Sequence, residues 1–246
     1  MKHQMFQYLG LLTVTGAVAL ADVAPANAIT IDDFDQQDQF VQDNTADGVA
    51  ASSTTTNPIT SSVGNLNRTI TVNAKNDTSI SPDNSINARV AASTDEINFI
   101  NTDGDIAGDY FITYESASGT PFNLLQGGNP NNLGTSLLLR RSDQDTRVRV
   151  ALNTVGGNDT TAFKDLPRNQ AGGETVVFPF NTFDNSLTFD EVNSLQFEFD
   201  VAEATDFSVD EIQVIPFEAE AATGIAVLGL WGVWKLRRRQ NKPSVN

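Results

Sequence analysis

The chain has 246 residues, a formal charge of −16, one histidine and no cysteine. This length is sufficient to bury a sizeable core in one large domain. The acidic excess argues against nucleic acid as a partner, because phosphate binding depends on lysine and arginine. The lack of cysteine excludes disulfides, thiolate metal sites and cysteine nucleophiles.

Residues 1–28 have the pattern of a secretory signal peptide. A cationic start precedes an apolar run over residues 5–21, and Ala26 and Ala28 supply the small side chains that signal peptidase requires at its cleavage site. A competing small-residue site lies at 19–21, and an uncleaved N-terminal anchor is the alternative interpretation. We therefore expect a signal helix and export of the chain.

The C-terminal segment, residues 216–246, has three parts. Pro216, Phe217 and Glu218 come first, an apolar stretch over 221–234 follows, and four cations lie directly after it. As a helix this stretch rises about 21 Å, which is short of a hydrocarbon core of about 30 Å. The cations favour a cytoplasmic position for the end of the chain.

The residues that carry a resemblance in this tail are Pro216-Phe217-Glu218, Thr223-Gly224, Leu228-Gly229-Leu230, Trp231-Gly232 and Arg237–Arg239. Together they resemble the PEP-CTERM protein-sorting signal in its cyanobacterial, Pro-Phe-Glu form. The second proline of Pro-Glu-Pro is missing, which leaves the cut position open. The resemblance implies a transmembrane helix over about residues 219–236, an exosortase-type protease as partner, and transfer of the preceding domain to the bacterial envelope. A plain tail anchor without processing is the alternative.

Residues 29–215 remain as the expected mature domain, with 28 acidic and nine basic side chains and a formal charge of −19. Apolar and polar residues alternate with a period of two, which predicts strands with one buried and one solvated face. The ten predicted strands are 29–34, 68–73, 86–91, 95–101, 109–115, 135–141, 146–151, 174–180, 195–200 and 206–215. We expect an all-β fold, a single antiparallel β-sandwich. Residues 43–66 are predicted to form a long surface loop, and residues 137–149 a hairpin.

Both ends of this domain are predicted short strands that carry acids. Ile-Asp-Asp-Phe closes the segment 29–34, and Val-Asp-Glu-Ile closes 207–212. The pair resembles jelly-roll domains of the galactose-binding-like or carbohydrate-binding-module type, in which the opening and closing strands lie together. That resemblance implies a structural Ca²⁺ site joining Asp32 or Asp33 to Asp210. A solvated acidic face is the alternative use of these carboxylates.

The domain offers few routes to catalysis. Its expected range contains neither histidine nor cysteine, because the only histidine, His3, lies in the signal peptide. This excludes Ser-His-Asp and Cys-His mechanisms and zinc–histidine sites. Catalysis by carboxylates is not excluded, because a glycosidase needs only two acids at a suitable distance. We assign no catalytic residue, and a carboxylate-dependent polysaccharide hydrolase or lyase is the alternative to a non-enzymatic role.

Two pairs of side chains are candidates for contact with a polysaccharide. Tyr110 and Tyr114 share a strand face, where they form either a platform for sugar rings or part of the core. Arg147 and Arg149 also share a face, where they either bind an acidic polysaccharide or pair with cross-strand carboxylates. The overall expectation is an exported, non-enzymatic cell-envelope or extracellular-matrix protein that binds polysaccharide or calcium.

Overall fold

The computed structural model describes residues 28–43, 49–75, 85–101, 107–142, 146–166, 173–201 and 205–216. These parts of the chain contain fifteen strands, two short 3₁₀ helices and no α-helix. The strands are β1 (Ile29–Asp32), β2 (Gln39–Asp43), β3 (Ala51–Thr54), β4 (Ile59–Ser61), β5 (Gly64–Lys75), β6 (Ile86–Ala91), β7 (Glu96–Asn101), β8 (Ala107–Ser116), β9 (Leu133–Ser142), β10 (Thr146–Thr154), β11 (Gly157–Thr160), β12 (Lys164–Leu166), β13 (Glu174–Pro179), β14 (Val192–Val201) and β15 (Phe207–Pro216). The 3₁₀ helices are Pro130–Asn132 and Phe180–Thr182.

The strands form two antiparallel sheets. The first sheet has the order β13-β9-β15-β7-β6-β2, with β1 also paired to β15. The second sheet has the order β11-β10-β14-β8-β5-β3, with β12 beside β10 and β4 beside β5. Burial alternates along the central strands, so each sheet has one face in the core and one in solvent. The predicted all-β sandwich is confirmed.

Aromatic side chains hold the two sheets together at one end of the core. Phe207 of the first sheet stacks on Phe99 with ring centroids 4.3 Å apart, and it lies 5.0 Å from Phe199 of the second sheet. Tyr110 meets Phe99 edge to face at 5.0 Å. Such contacts add about 0.5–1.5 kcal/mol per pair beyond the burial of apolar area. All four rings are completely buried.

The first and last strands lie together, as the resemblance to jelly-roll domains implied. Ile29 of β1 pairs with Val214 of β15, and Asp32 pairs with Ile212 after a bulge. The Thr30 hydroxyl also donates to Glu211 at 3.2 Å. These contacts join segments that are about as far apart as the described chain allows.

All ten predicted strands are present, but two expectations were wrong. The predicted loop over 43–66 contains β3 and β4, whose short polar sequences have no clear apolar alternation. β9 and β10 do not form a hairpin, because they belong to different sheets. The short strands β2, β11 and β12 were also missed.

The predicted signal and sorting segments lie almost entirely outside the described residues. Ala26, Phe217 and Glu218 are outside them, as is the predicted transmembrane helix over about 219–236. Ala28 is exposed just before β1, and Pro216 ends β15. Within the described ranges, no helix has both the length and the apolar character needed to cross a membrane.

Candidate functional site

The solvent-facing side of the second sheet, here called the outer face, carries many polar side chains. Strict alternation places Arg147, Arg149, Ala151 and Asn153 of β10 on this face. Antiparallel register sets them opposite residues of β14, which in turn lie opposite residues of β8. The β14 partners are Asp200, Glu198, Gln196 and Ser194. The sheet therefore presents rows of side chains that run across the strands.

One end of the outer face is a cluster of ion pairs. Arg149 donates through Nε and Nη2 to both carboxylate oxygens of Glu198, each at 2.8 Å. Arg147 pairs through Nη2 alone with one carboxylate oxygen of Asp200, which also lies 3.8 Å from Lys75. The prediction that these arginines share a face is confirmed, and of its two alternatives the structure shows pairing with cross-strand carboxylates.

A half-buried aromatic ring lies against the two arginines. Phe163, between β11 and β12, has its ring centroid 4.5 Å from Cζ of Arg149 and 5.0 Å from Cζ of Arg147. Cation–π contacts of this kind contribute about 0.5–1 kcal/mol at exposed sites. The ring is thus held in place on the outer face by the two arginines.

A pocket of about 160 Å³ lies next to this cluster, at the edge of the same face. It is open to solvent, and it has room for several water molecules at about 30 Å³ each. Three strands supply its walls: Ala151, Leu152 and Asn153 from β10, Asn158, Asp159 and Thr160 from β11, and Ser194 and Gln196 from β14. Amides, hydroxyls and one carboxylate therefore converge on one small space.

The turn before β11 holds the pocket wall in place. A Cβ on Gly156 would lie 2.4 Å from the carbonyl oxygen of Ser186, so the β10–β11 turn packs tightly on the segment before β14. Gly156 N–H donates to Thr188 Oγ1 at 3.0 Å. Asp159 accepts from Thr160 N–H at 2.7 Å and from Asp184 N–H at 2.7 Å. These contacts fix β11, a short edge strand, against its neighbours.

Several polar groups in the pocket have no protein partner. Among the described residues, the side chains of Asn158, Thr160 and Ser194 form no hydrogen bond, and Gln196 uses only its amide nitrogen, which donates to Thr113 at 2.9 Å. Amide and hydroxyl groups both donate and accept, as sugar hydroxyls do. The pocket is therefore suited to a ligand rich in hydroxyl groups.

The alternative that Tyr110 and Tyr114 form a platform for sugar rings is wrong, because both are completely buried. They point into the core together with Ile112, as the other alternative predicted. Burial raises the pKa of both phenols, and at Tyr114 the Asp32 carboxylate adds to the effect. Neither ring can contact a ligand in this position.

The three carboxylates of the predicted Ca²⁺ site have separate partners. Asp32 is completely buried against Arg68, while Asp210 lies 3.6 Å from Arg140. Asp33 lies in the loop after β1, where burial and the nearby Asp35 raise its pKa. Within the ranges that the structure describes, no group of three or more acidic or histidine side chains is placed to hold a metal ion. The calcium site stays a prediction.

Asp32 belongs instead to a buried polar network between the sheets. Its Oδ2 accepts from Arg68 Nη1 and from the Tyr114 hydroxyl, both at 2.8 Å, and its Oδ1 accepts from Phe34 N–H at 2.9 Å. Arg68 Nε also donates to Gln39 at 2.6 Å. Sequence analysis missed this network, although Arg68 has the same strand parity as Ile70 and Val72 and is therefore predicted to point inward.

The sequence matches no protein-family model and no curated protein. Among solved structures, PfGH50B aligns over 52% of this chain and 21% of its own, with 10% identity and a TM-score of 0.38. The family 11 carbohydrate-binding module of the cellulosomal cellulase Lic26A-Cel5E of Clostridium thermocellum aligns over 77% of this chain and 95% of its own, with 14% identity and a TM-score of 0.37. TmCBM61, in complex with β-1,4-galactotriose, aligns over 49% of this chain and 70% of its own, with 10% identity and a TM-score of 0.31. At TM-scores this low the alignments do not indicate which ligand this chain binds.

Proposed function

We propose that this chain is an exported, non-enzymatic, jelly-roll-like protein of the bacterial cell envelope or extracellular matrix, and that it binds polysaccharide through the pocket on the outer face. The observation that carries the proposal is a set of polar groups without a partner among the described residues: the side chains of Asn158, Thr160 and Ser194 and the amide oxygen of Gln196. A buried or self-satisfied surface would have no such groups. Phe163, held by two arginines, offers a ring for stacking beside them.

The two ends of the chain are the reason for proposing that the protein is exported. The signal pattern of residues 1–28 implies signal peptidase as a partner, and the PEP-CTERM-like segment 216–246 implies an exosortase-type protease. Before processing, the C-terminal helix would anchor the protein in the membrane. Intact mass measurement of the secreted protein tests both cleavage events at once.

The arrangement of acids favours binding over hydrolysis. A glycosidase requires two carboxyl groups on either side of the scissile bond. The described pocket contains one carboxylate, Asp159, and both of its oxygens accept backbone N–H groups. Glu198 and Asp200, farther along the face, are engaged by arginines. We therefore place the hydrolase or lyase alternative second.

Affinity electrophoresis of the purified protein in gels that contain polysaccharide tests the proposed binding. We expect retardation of the wild type and its loss in a double variant, Asn158→Ala with Thr160→Ala. Both side chains are exposed and form no hydrogen bond to the described protein, so their removal should leave the fold intact. The matched control is Thr175→Ala, an exposed threonine on the first sheet. Retardation that survives the double variant would place binding elsewhere.

A further inference from the structure

The cations near the pocket are already neutralised. Both Arg149 nitrogens that face Glu198 donate to it at 2.8 Å, and Arg147 pairs with Asp200. Phe163 covers one face of each guanidinium. A bidentate guanidinium–carboxylate pair satisfies the geometry that an anionic ligand would otherwise use. These arginines therefore leave little positive potential for a uronate or sulfate group.

The lysine on the outer face does not supply a free cation either. Lys75, on the same face, contacts Asp109 and lies 3.8 Å from Asp200. The outward positions of β5, β8, β10 and β14 thus hold three cations among the described residues, against four carboxylates. The fourth carboxylate, Glu115 of β8, lies opposite Ser194, and Ser194 is the one that lines the pocket. The chain as a whole carries a formal charge of −16.

The pocket itself is neutral apart from one negative group. Asp159 is its only ionisable side chain among the described residues, and the other polar side chains are amides and hydroxyls. A carboxylate or sulfate on a ligand can only accept hydrogen bonds, and it would lie close to the Asp159 charge. A sugar hydroxyl can donate to Asp159 and accept from an amide.

We infer that the pocket selects neutral polysaccharides and rejects those that carry uronate or sulfate groups. This inference rests on the proposed function, whose ligand class it specifies. A neutral chain exchanges water for amide and hydroxyl partners at little electrostatic cost, whereas an anionic chain loses hydration without gaining a free cation. The ion pair between Arg149 and Glu198 keeps the guanidinium from binding an anionic ligand.

The test compares a neutral glucan with a polyuronate in affinity electrophoresis of the purified protein. An ionic strength near 0.01 M, where the Debye length is about 30 Å, keeps charge effects visible. We expect the glucan to retard the wild type and the polyuronate to leave its mobility unchanged. In Glu198→Gln, Arg149 loses its counter-charge, and association with polyuronate should rise by about threefold, the effect of one unit charge at about 6 Å in water.

The matched control is Glu174→Gln, which removes the same charge from an exposed position on the first sheet and should leave the retardation by each polymer, measured against a polymer-free gel, unchanged. Polyuronate binding by the wild type that equals or exceeds glucan binding would overturn the charge selection and leave polysaccharide binding intact. Binding of neither polymer would overturn the proposed function itself. A Glu198→Gln variant that gains no affinity for polyuronate would overturn the role of the Arg149–Glu198 pair.

Discussion

Arg68 Nη1 lies 2.8 Å from Oδ2 of Asp32, and both side chains are completely shielded from solvent. Arg68 belongs to the second sheet, while Asp32 ends the first strand of the first sheet. The chain bends around the guanidinium through Phe34 and Gln37, which have φ values of 56° and 58°. The Gln36 and Gln37 carbonyls accept from Arg68 Nη2 at 3.0 and 2.9 Å. Each guanidinium nitrogen and each carboxylate oxygen of this buried pair thereby has a hydrogen-bond partner.

Removing one partner of this pair should strongly destabilise the protein. We expect Asp32→Ala to lower the free energy of unfolding by about 3–5 kcal/mol, because it leaves the Arg68 charge buried and unpaired. The double variant Asp32→Ala with Arg68→Met should recover part of this loss, since it buries no charge. Urea denaturation measures the free energy of unfolding of the single and the double variant. A double variant as unstable as the sum of its single variants would contradict this account of the pair.

The Tyr114 hydroxyl should contribute to stability and not to ligand binding. Tyr114→Phe deletes the 2.8 Å hydrogen bond to Asp32, and such bonds to charged groups are worth about 1.5–3 kcal/mol. The control is Tyr110→Phe, whose hydroxyl makes only a long 3.4 Å contact with the Ile100 carbonyl and should matter less. Denaturation and glycan electrophoresis on the same samples distinguish the two effects. Lost glycan binding in a folded Tyr114→Phe variant would show that the phenol has a role at the surface.

Phe163 should matter for binding more than for folding. We expect Phe163→Ala to weaken glycan binding by about 0.5–1.5 kcal/mol, the usual value of an aromatic contact. The matched control is Phe40→Ala, because Phe40 is 57% exposed on the other sheet. Isothermal titration calorimetry measures both. Equal losses in the two variants would remove the case for stacking at Phe163.

The raised pKa of Asp33 predicts how stability depends on pH. The folded state holds this proton more tightly than the unfolded chain, whose ordinary pKa is 3.8. The resulting stabilisation is complete below that pH and is lost as the pH rises through the raised pKa. Asp33→Asn should therefore be neutral at low pH and stabilise the protein near pH 7 by at most about 0.5 kcal/mol, because the group is only partly buried and solvent screens its charge. Thermal melts as a function of pH check this, with Asp190→Asn as an exposed control.

Calcium removal tests the remaining metal prediction. Both oxygens of Asp32 already accept hydrogen bonds, and Asp210 lies beside Arg140. A cation at Asp32 would have to displace the Arg68 guanidinium. These contacts argue against the predicted site, and we therefore expect EDTA to leave Tm unchanged. A fall in Tm that added Ca²⁺ reverses would establish a site, and variants of Asp33 and Asp210 would then locate it.

The strands could be predicted because alternation is local. The predicted strand over 86–91 has the same limits as β6, and the inward positions of β10 and β14 follow from their parity. Alternation shows which side of a strand is buried and not which sheet it joins, and for this reason β9 and β10 were paired wrongly. A short polar edge strand such as β11 buries too little to have a pattern.

The candidate site could be predicted only in part. The Arg147 and Arg149 pairs follow from parity and an abundance of acids. The pocket does not, because its walls come from β10, β11 and β14, and β14 is brought to them only by the sheet order. Asn158 and Thr160 look like ordinary turn residues in the sequence. These side chains line a pocket only because of their neighbours, and long-range strand pairing determines which residues those neighbours are.

The position of β15 has a consequence for the order in which the protein assembles. This strand is the last one described, yet it lies inside the first sheet, between β9 on one side and β7 and β1 on the other. A chain that emerges N-terminus first therefore makes β1, β7 and β9 long before the strand that joins them. Topologies rich in such distant contacts fold slowly. If the protein is exported as proposed, translocation in unfolded form would thus meet little resistance from premature folding, and the first sheet would close only after Pro216 has crossed.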